Sequence, residues 1–480
     1  MKNTKKRTLK IKDFGQVFTP AEIVFRMLEL CNYNCDSILN KKIMEPSFGD
    51  GAFLTEILSR LLLCCKKNRL SIFDTKKCIQ NNIFGIEKDN ALYNITIEKL
   101  NSILLEYGID DFDWHNNLFC TDTLYFENMN NQFDIVIGNP PYVNIHNIED
   151  KNFLSDYEFA KDGMTDLYIC FFEKGLKLLN EKGILCYITP NSYFNSVAGK
   201  NMRKHIIDQK LLSNIINFGH KQIFDGFTTY SCITLLNKTN TKCEIAYVSE
   251  NNAFNIKYDD FFVNECFYFS QNKNFKDIVL YKGKEFVEVK NGFATLNDSF
   301  FINSELAQVS SYSIPIIKSS TGKKGVIFYP YDKNGKTIDF SDIEKNDIQT
   351  VSILKNNKEL LLKRSLTGNT KWYEFGRTQA VKDTYKNKYG INALFKTKND
   401  IIISNCPAGT GIYGGLYILT NININTIKDI LYSENFIEYC EFIGKYKSGG
   451  YYTLSSKELS NFINYYISLN ECSFLLTHTH

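Results

Sequence analysis

The 480 residues carry 56 Lys and Arg against 53 Asp and Glu, a net charge of +3 that by itself selects neither an acidic nor a basic partner. With 44% hydrophobic residues the chain can bury large cores, which excludes bulk disorder, and its length exceeds what one core usually holds. No apolar run reaches membrane-spanning length, and MKNTKKRTLKIKDFG lacks the apolar core of a signal peptide. The fourteen cysteines are scattered singly or within apolar stretches such as LLLCC and LCYIT, the pattern of buried reduced thiols in a cytoplasmic protein. Cys31 and Cys35 have no second Cys/His pair at zinc-site spacing, so no metal is expected.

In chain order, residues 20–30 (PAEIVFRMLEL) have helical apolar spacing, KKIME reads as a strand and GAFLTEILSRLLLCC as a helix. NIFGIE and DNALYNITIEKLNSILLEY repeat the strand–helix pair, NLFC is a short strand, and FDIVIG is a strand buried on both faces. DLYICFFEKGLKLLNEKG then reads as a helix, GILCYIT as a strand and SYFNSVAGKNMRKHIID as a helix, with LLSNIINF and YSCITLLNK closing the series as strands. This alternation predicts an α/β, doubly wound, Rossmann-like parallel sheet with helices on both faces. From about residue 245 the pattern becomes irregular, aromatic and Asn-rich, with short strands and few long helices. The expected division is a basic N-terminal arm over 1–13, a catalytic domain over 14–244 and a mixed α+β domain over 245–480.

The strand ends carry the chemistry. EPSFGDGAF (45–53) opens directly into a helix. Gly49 and Gly51 allow close backbone approach, and the helix N-terminus behind them offers free N–H groups. No Gly-Lys-Ser/Thr follows, which excludes a Walker A loop, and the spacing departs from GxGxxG. Glu87 ends the next strand, where an acidic side chain can accept from ribose hydroxyls, and Asp122 follows the third. Each alone reads equally well as an ordinary turn or a solvated acid; their order at successive strand ends points to a nucleoside ligand.

After FDIVIG comes Asn139-Pro140-Pro141-Tyr142. Two prolines remove two donors and stiffen the chain, so carbonyls and the Asn139 amide oxygen form a rigid set of acceptors. Tyr142 adds a flat face. Such a site suits a planar ring with an exocyclic amino group, whose two N–H hydrogens meet two acceptors while the ring stacks. The plain alternative is a proline-rich turn closing a strand.

FDIVIGNPPY resembles the catalytic motif of amino-group DNA methyltransferases that use S-adenosylmethionine, and Asn in first position is typical of the N6-adenine enzymes. QVFTP (16–20), EPSFGDGAF, GIE, TDT, NPPY and IFDGFTTYSCITLL follow in the order of the γ-type, TaqI-like modification enzymes of restriction–modification systems, whose target recognition domain is C-terminal. The resemblance covers residues 14 to about 240, with a weaker likeness in WYEFGRTQ (372–379) and KSGGYYTLSSKEL (447–459). It implies that Thr19 and Pro20 line the methionine end of the cofactor above a loop of Glu45, Pro46, Ser47, Gly49 and Gly51. Glu87 then holds the ribose, and Asp122, with Thr123 beside it, borders the cofactor adenine. Thr123 stands where some relatives place an aromatic, so the stacking partner of that ring stays open. Asn139, next to the cofactor, and the Pro140 carbonyl hold the target N6. Tyr142 stacks on the flipped base, Phe224 or Phe227 covers its other face, and Asp166 and Tyr168 of TDLY lie at the floor.

The implied activity is site-specific methylation of adenine N6 in double-stranded DNA after base flipping, at the bacterial nucleoid. A separately encoded restriction endonuclease is a partner the resemblance admits, and the oligomeric state, a monomer included, stays open. Between 355 and 398 the chain holds eleven Lys/Arg against three Asp/Glu, interleaved with aromatics, a composition suited to DNA contacts, with Lys371, Trp372 and Arg377 as candidates. A solvated surface over core aromatics is the competing reading. The arm before Asp13, with six Lys/Arg and no acid, either touches DNA or is disordered. Two alternatives remain. Protein glutamine methyltransferases also use NPPY but are shorter and carry a small helical domain before the glycine loop. A specificity subunit with an inactive methyltransferase fold is disfavoured by the intact Asn139, Glu87 and Asp122. No separate nuclease pattern is evident.

Overall fold

The computed structural model describes residues 18–35, 37–148, 150–161, 165–224, 230–447 and 449–477. They fall into two compact units, Met1–Lys273 and Asn274–His480.

In the first unit, nine strands form one sheet: β1 (Ile43–Glu45), β2 (Ile83–Glu87), β3 (Leu118–Cys120), β4 (Phe133–Gly138), β5 (Leu179–Pro190), β6 (Leu212–Asn217), β7 (Ser231–Asn237), β8 (Glu244–Val248) and β9 (Ala253–Lys257). Their order is β3-β2-β1-β4-β5-β7-β6-β8-β9. Successive residues alternate between two cores, as period-2 geometry requires. Met44, Phe84, Val136, Leu185 and Tyr187 enter one core, and Ile43, Ile83, Ile135, Ile137, Cys186 and Ile188 the other.

Helices α1 (Ala21–Leu30), α2 (Ala52–Lys67), α3 (Ile72–Asn82) and α4 (Asn90–Glu106) cover the second face, and α5 (Leu167–Leu178) and α6 (Lys200–Asp208) the first. In α2, Phe53, Leu54, Ile57, Leu58, Leu61 and Leu62 make a buried stripe at i, i+3 and i+4 spacing. Asp89 caps α4 by accepting from the N–H groups of Ala91 and Leu92.

The strand–helix alternation places most elements correctly, with four differences. The sheet is mixed: β7 runs antiparallel to both β5 and β6. An almost continuously apolar strand such as SCITLL reads the same in either direction, and its direction is set by the single connection over 218–230 from its neighbour β6. Helix α3 was not legible because few of its residues are buried, although Ser71 accepts from the Asp74 N–H at 3.1 Å as its N-cap. Helix α5 stops at Leu178, and the residues after it already belong to β5, with a register shift against β4 where Gly183 lies. NSYF forms a 3-10 turn (Asn191–Phe194) ahead of α6 and is not part of one long helix.

The boundary expected at 244/245 falls at the first residues of β8, and the sheet continues through β9 to Lys257. Strand β8 pairs in parallel with β6 and antiparallel with β9, so the pattern change marks the sheet's solvent-facing edge, where alternation is diluted by polar residues. The short pair β10 (Phe262–Val263) and β11 (Cys266–Phe267) ends this unit.

The second unit holds β12 (Glu288–Asn291), β13 (Ser313–Lys318), β14 (Lys323–Phe328), β15 (Lys388–Ile391), β16 (Leu394–Phe395), β17 (Ile403–Cys406), β18 (Gly411–Tyr413), β19 (Leu416–Leu419), β20 (Tyr446–Lys447) and β21 (Tyr451–Thr453). They make three small sheets ordered β12-β19-β15-β17, β14-β13-β18 and β16-β21-β20. A 22-residue helix, Ser456–Thr477, follows, longer than the pattern suggested. Among the described residues no helix is long and apolar enough to cross a membrane.

Candidate functional site

Strands β1, β2, β3 and β4 are mutually parallel, so the segments leaving them emerge at one edge of the sheet. There the Glu87 carboxylate accepts the Gly49 N–H at 2.8 Å through Oε2 and the Asp89 N–H at 2.8 Å through Oε1. Burial raises its pKa, opposed by those amides. The acid that the sequence assigns to ribose thus also braces the glycine loop, and with Lys88 as a third backbone donor its carboxylate still keeps acceptor capacity.

Gly49 and Gly51 have φ of +53° and +82°, the left-handed region that glycine enters without strain. A Cβ at Gly49 would meet nothing within 4 Å, so the loop presents open space there, whereas one at Gly51 would lie 2.6 Å from Thr96 Cγ2. Thr96 Oγ1 donates to the Gly49 carbonyl at 3.0 Å, and Lys99 Nζ donates to the Asp50 carbonyl at 2.6 Å and meets its carboxylate at 3.3 Å. Sequence reasoning missed Thr96 and Lys99. They stand one turn apart on α4, and a buried Thr within an otherwise apolar face was the available signal.

Glu45 is buried, and its Oε2 has no hydrogen-bond partner among the described residues. Burial drives its carboxyl well above the usual carboxylate range, and nearby Asp50 and Glu87 push the same way. Asp122 accepts the Leu124 N–H at 3.0 Å and pairs with Lys88 Nζ at 2.8 Å. Thr123, fully within the core, donates its hydroxyl to the Pro46 carbonyl and so ties the turn after β3 to the glycine loop.

Asn139 leaves β4 beside this loop. Its Nδ2 donates to Thr19 Oγ1 at 3.1 Å, across 120 residues, and Ser47 Oγ donates to its carbonyl at 3.4 Å, across 92. The Phe18-Thr19-Pro20 end of QVFTP, EPSFGDGAF and NPPY therefore meet (Gln16 and Val17 lie outside the described residues), with Pro20 exposed just beyond Thr19 and Pro140 buried ahead of the partly covered Pro141. The Tyr142 hydroxyl donates to the Ile188 carbonyl at 3.2 Å. Its ring meets Tyr168 at 6.4 Å and Phe224 at 6.1 Å, both edge to face. Phe224 is only 2% exposed, so these two rings stand as packed neighbours and not as parallel walls of a slot. Phe227 lies outside the described residues. Tyr168 pairs through its hydroxyl with Ser192 Oγ at 3.1 Å, and Asp166, its pKa raised by burial, accepts from Asn144 Nδ2 at 3.0 Å.

In the second unit, Lys371 pairs with Asp339 at 2.8 Å, and Trp372 packs half-buried against Phe340 and Tyr373. Arg377 is exposed. Two cations of the basic stretch turn out to be structural. Arg364 donates to the carbonyls of Leu361, Thr295, Glu374 and Trp372, and Lys388 to those of Asp383, Thr384, Lys386 and Thr410.

A buried acid with an orphaned oxygen, a second acid with spare lone pairs and open space over Gly49 fit a nucleoside ligand that carries hydroxyls and a cationic side arm. Residues 53–224 match the Eco57I restriction-modification methylase family. The type II restriction enzyme and methyltransferase RM.Eco57I of Escherichia coli is 25% identical over 480 residues, spanning 77% of this chain and 48% of that protein. The type II methyltransferase M.AccI of Acinetobacter calcoaceticus is 25% identical over 458 residues, spanning 87% of this chain and 78% of that protein. The chain thus covers about half of the first relative and most of the second. Among solved structures, the type IIL restriction-modification enzyme MmeI, determined in complex with DNA, superposes with a TM-score of 0.60 at 13% identity, over 92% of this chain and 65% of that one, a likeness of fold. The match over residues 53–224 agrees with the resemblance to restriction–modification methyltransferases that the order of the motifs carries.

Proposed function

We propose that the protein is a site-specific DNA methyltransferase of a restriction–modification system that transfers a methyl group from S-adenosylmethionine to N6 of an adenine in double-stranded DNA. The observation that carries the reading is the Asn139 amide, anchored through Nδ2 on Thr19 beside the glycine loop, where the motif-bearing segments converge.

Thr19, Glu45, Pro46, Ser47, Gly49, Gly51, Glu87 and Asp122 hold the cofactor, and Thr123 fixes the wall behind it. The bound cofactor supplies a methyl group already activated by the sulfonium charge. What the chain adds is alignment and exclusion of water. Asn139 Oδ1 and the Pro140 carbonyl accept the two hydrogens of the exocyclic amine, which draws its lone pair out of ring conjugation and toward nucleophilicity. Tyr142 holds the plane of the base. Its hydroxyl is fixed by Ile188 and pushed up in pKa by burial, so it stays neutral and serves as a surface, not an acid. A paired adenine reaches this site only after flipping, at a cost of a few kcal/mol.

Asn in first position supports adenine over cytosine. The second unit, residues 274–480, carries target recognition, with Arg377 and Lys371 among its DNA contacts. The test is methylation-sensitive sequencing of DNA from cells expressing the wild type and Asn139→Ala. N6-methyladenine at one recurring sequence in the first and none in the second is expected. Methylcytosine instead, or unchanged methylation in the variant, overturns the assignment.

A further inference from the structure

Leu296 has φ +61°, the left-handed region that a branched side chain avoids. It is also 43% exposed, so burial recovers little of that strain. The conformation is imposed from both sides. Before it, Ala294 and Arg377 exchange backbone hydrogen bonds, Ala294 N–H to the Arg377 carbonyl at 3.1 Å and Arg377 N–H to the Ala294 carbonyl at 2.9 Å. Thr295 is buried, its carbonyl held by Arg364 Nη1 at 2.7 Å. After it, Thr295 Oγ1 accepts the Asn297 N–H at 3.1 Å and donates to Asp298 at 2.6 Å, and Asn297 caps the turn that follows. The Leu296 side chain lies flat on Gly376, where a Cβ would come within 2.2 Å of its Cδ1.

The result is an apolar side chain, partly exposed and resting on Gly376, carried beside Arg377 by a backbone turn that is held from both sides. That arginine is exposed, and among the described residues no hydrogen bond or ion pair holds its guanidinium. Glycine or asparagine would hold the same backbone turn with less strain, so the turn itself does not call for a leucine. An apolar tip beside an uncommitted cation matches DNA, which offers phosphates to the cation and apolar base surfaces, the thymine methyl or a stacked base face, to the leucine.

We propose that Leu296 is a specificity-determining residue that makes apolar contact with a base of the target sequence, positioned there by the left-handed turn and flanked by a phosphate contact from Arg377. This rests on the DNA methyltransferase reading above.

The test compares full-length wild type, Leu296→Gly, Leu296→Asn and Arg377→Ala. Binding is measured at fixed salt to a duplex carrying the sequence methylated in expressing cells and to a scrambled duplex, with thermal unfolding midpoints recorded for each protein. Leu296→Gly should unfold at the same or a higher temperature while its preference for the cognate duplex falls about tenfold, the scale of one lost base contact. Leu296→Asn, which tolerates the same backbone, should lose the same preference. Arg377→Ala should weaken both duplexes alike. Deoxyuridine in place of thymine in the cognate duplex removes the difference between wild type and Leu296→Gly if the methyl is the contact and preserves it if a base face is. An unchanged cognate preference in both Leu296 variants overturns the proposal, as does a midpoint that falls in step with affinity, the signature of a packing role. Wild type that binds and methylates no duplex overturns the DNA reading itself.

Discussion

Substituting Gly51 with Ala probes the link between the glycine loop and the helix behind it. At φ +82° a Cβ is strained in itself, worth about 1–2 kcal/mol for an L residue. The added methyl would also sit 2.6 Å from Thr96 Cγ2 and 2.9 Å from its Oγ1, an overlap that costs about 1–3 kcal/mol to relieve in a packed site. The sum is about 2–5 kcal/mol of stability. Thr96→Ala removes both clashing atoms together with the hydrogen bond to the Gly49 carbonyl, a loss of about 0.5–1.5 kcal/mol alone. In that background Gly51→Ala should cost little more than the backbone strain, so the two substitutions should couple by about 1–3 kcal/mol. Urea unfolding of the four proteins measures the cycle, and calorimetry of S-adenosylmethionine binding reports whether the loop has moved. Equal costs of Gly51→Ala with and without Thr96 would refute the contact as the cause.

Asn139→Ala should abolish methyl transfer while calorimetric S-adenosylmethionine affinity stays within a few fold, because the proposed partner of its amide is the target base; normal turnover would remove it from catalysis. Glu45 has a folded-state pKa well above its unfolded value, so its contribution to stability is present below the ordinary glutamate range and is lost as pH rises through the folded value. Glu45→Gln should therefore match wild type near pH 4 to 5 and exceed it in unfolding midpoint toward pH 8, on the order of a few degrees; parallel midpoint-against-pH curves would contradict this. Lys388→Met leaves four carbonyls without their shared donor and should destabilise the second unit by about 2–4 kcal/mol in urea unfolding, whereas a loss under 1 kcal/mol would mean the carbonyls find other donors.

What was legible in the sequence is the part where local chemistry and long-range geometry agree. FDIVIG ends on Pro-Pro because the strand must stop there, and the same stop delivers Asn139 to the sheet edge beside Thr19 and Ser47. Glu87 ends β2 just ahead of Asp89, the N-cap of α4, which brings its carboxylate to the same edge. Less was legible where a residue's surroundings come from elsewhere in the chain. The direction of β7, the weakly amphipathic α3 and the pairing of β8 with β6 depend on partners that periodicity cannot name. Thr96 and Lys99 act on a loop more than 40 residues away and carry no motif of their own.

The basic stretch over 355–398 shows why a count of charges is a poor guide to a surface. Its composition suited phosphate binding, yet its cations divide by what the fold places against them. Arg364 and Lys388 are buried on carbonyls, Lys355, Lys371, Lys386 and Lys398 pair with acids, and Lys358 and Lys396 lie over the rings of Trp372 and Tyr451. An exposed ion pair is worth little and can be exchanged for a phosphate at small cost, whereas a cation buried on four carbonyls cannot leave without unfolding its surroundings. Lys371 therefore stays a candidate for DNA despite its bond to Asp339, while Arg364 and Lys388 do not. Arg377 differs from both groups: its backbone is fixed by Ala294, its side chain is exposed, and an apolar neighbour is carried beside it. Lys363 and Lys382 are exposed too, with no ion pair or ring contact among the described residues, so what distinguishes Arg377 is its fixed backbone and its apolar neighbour.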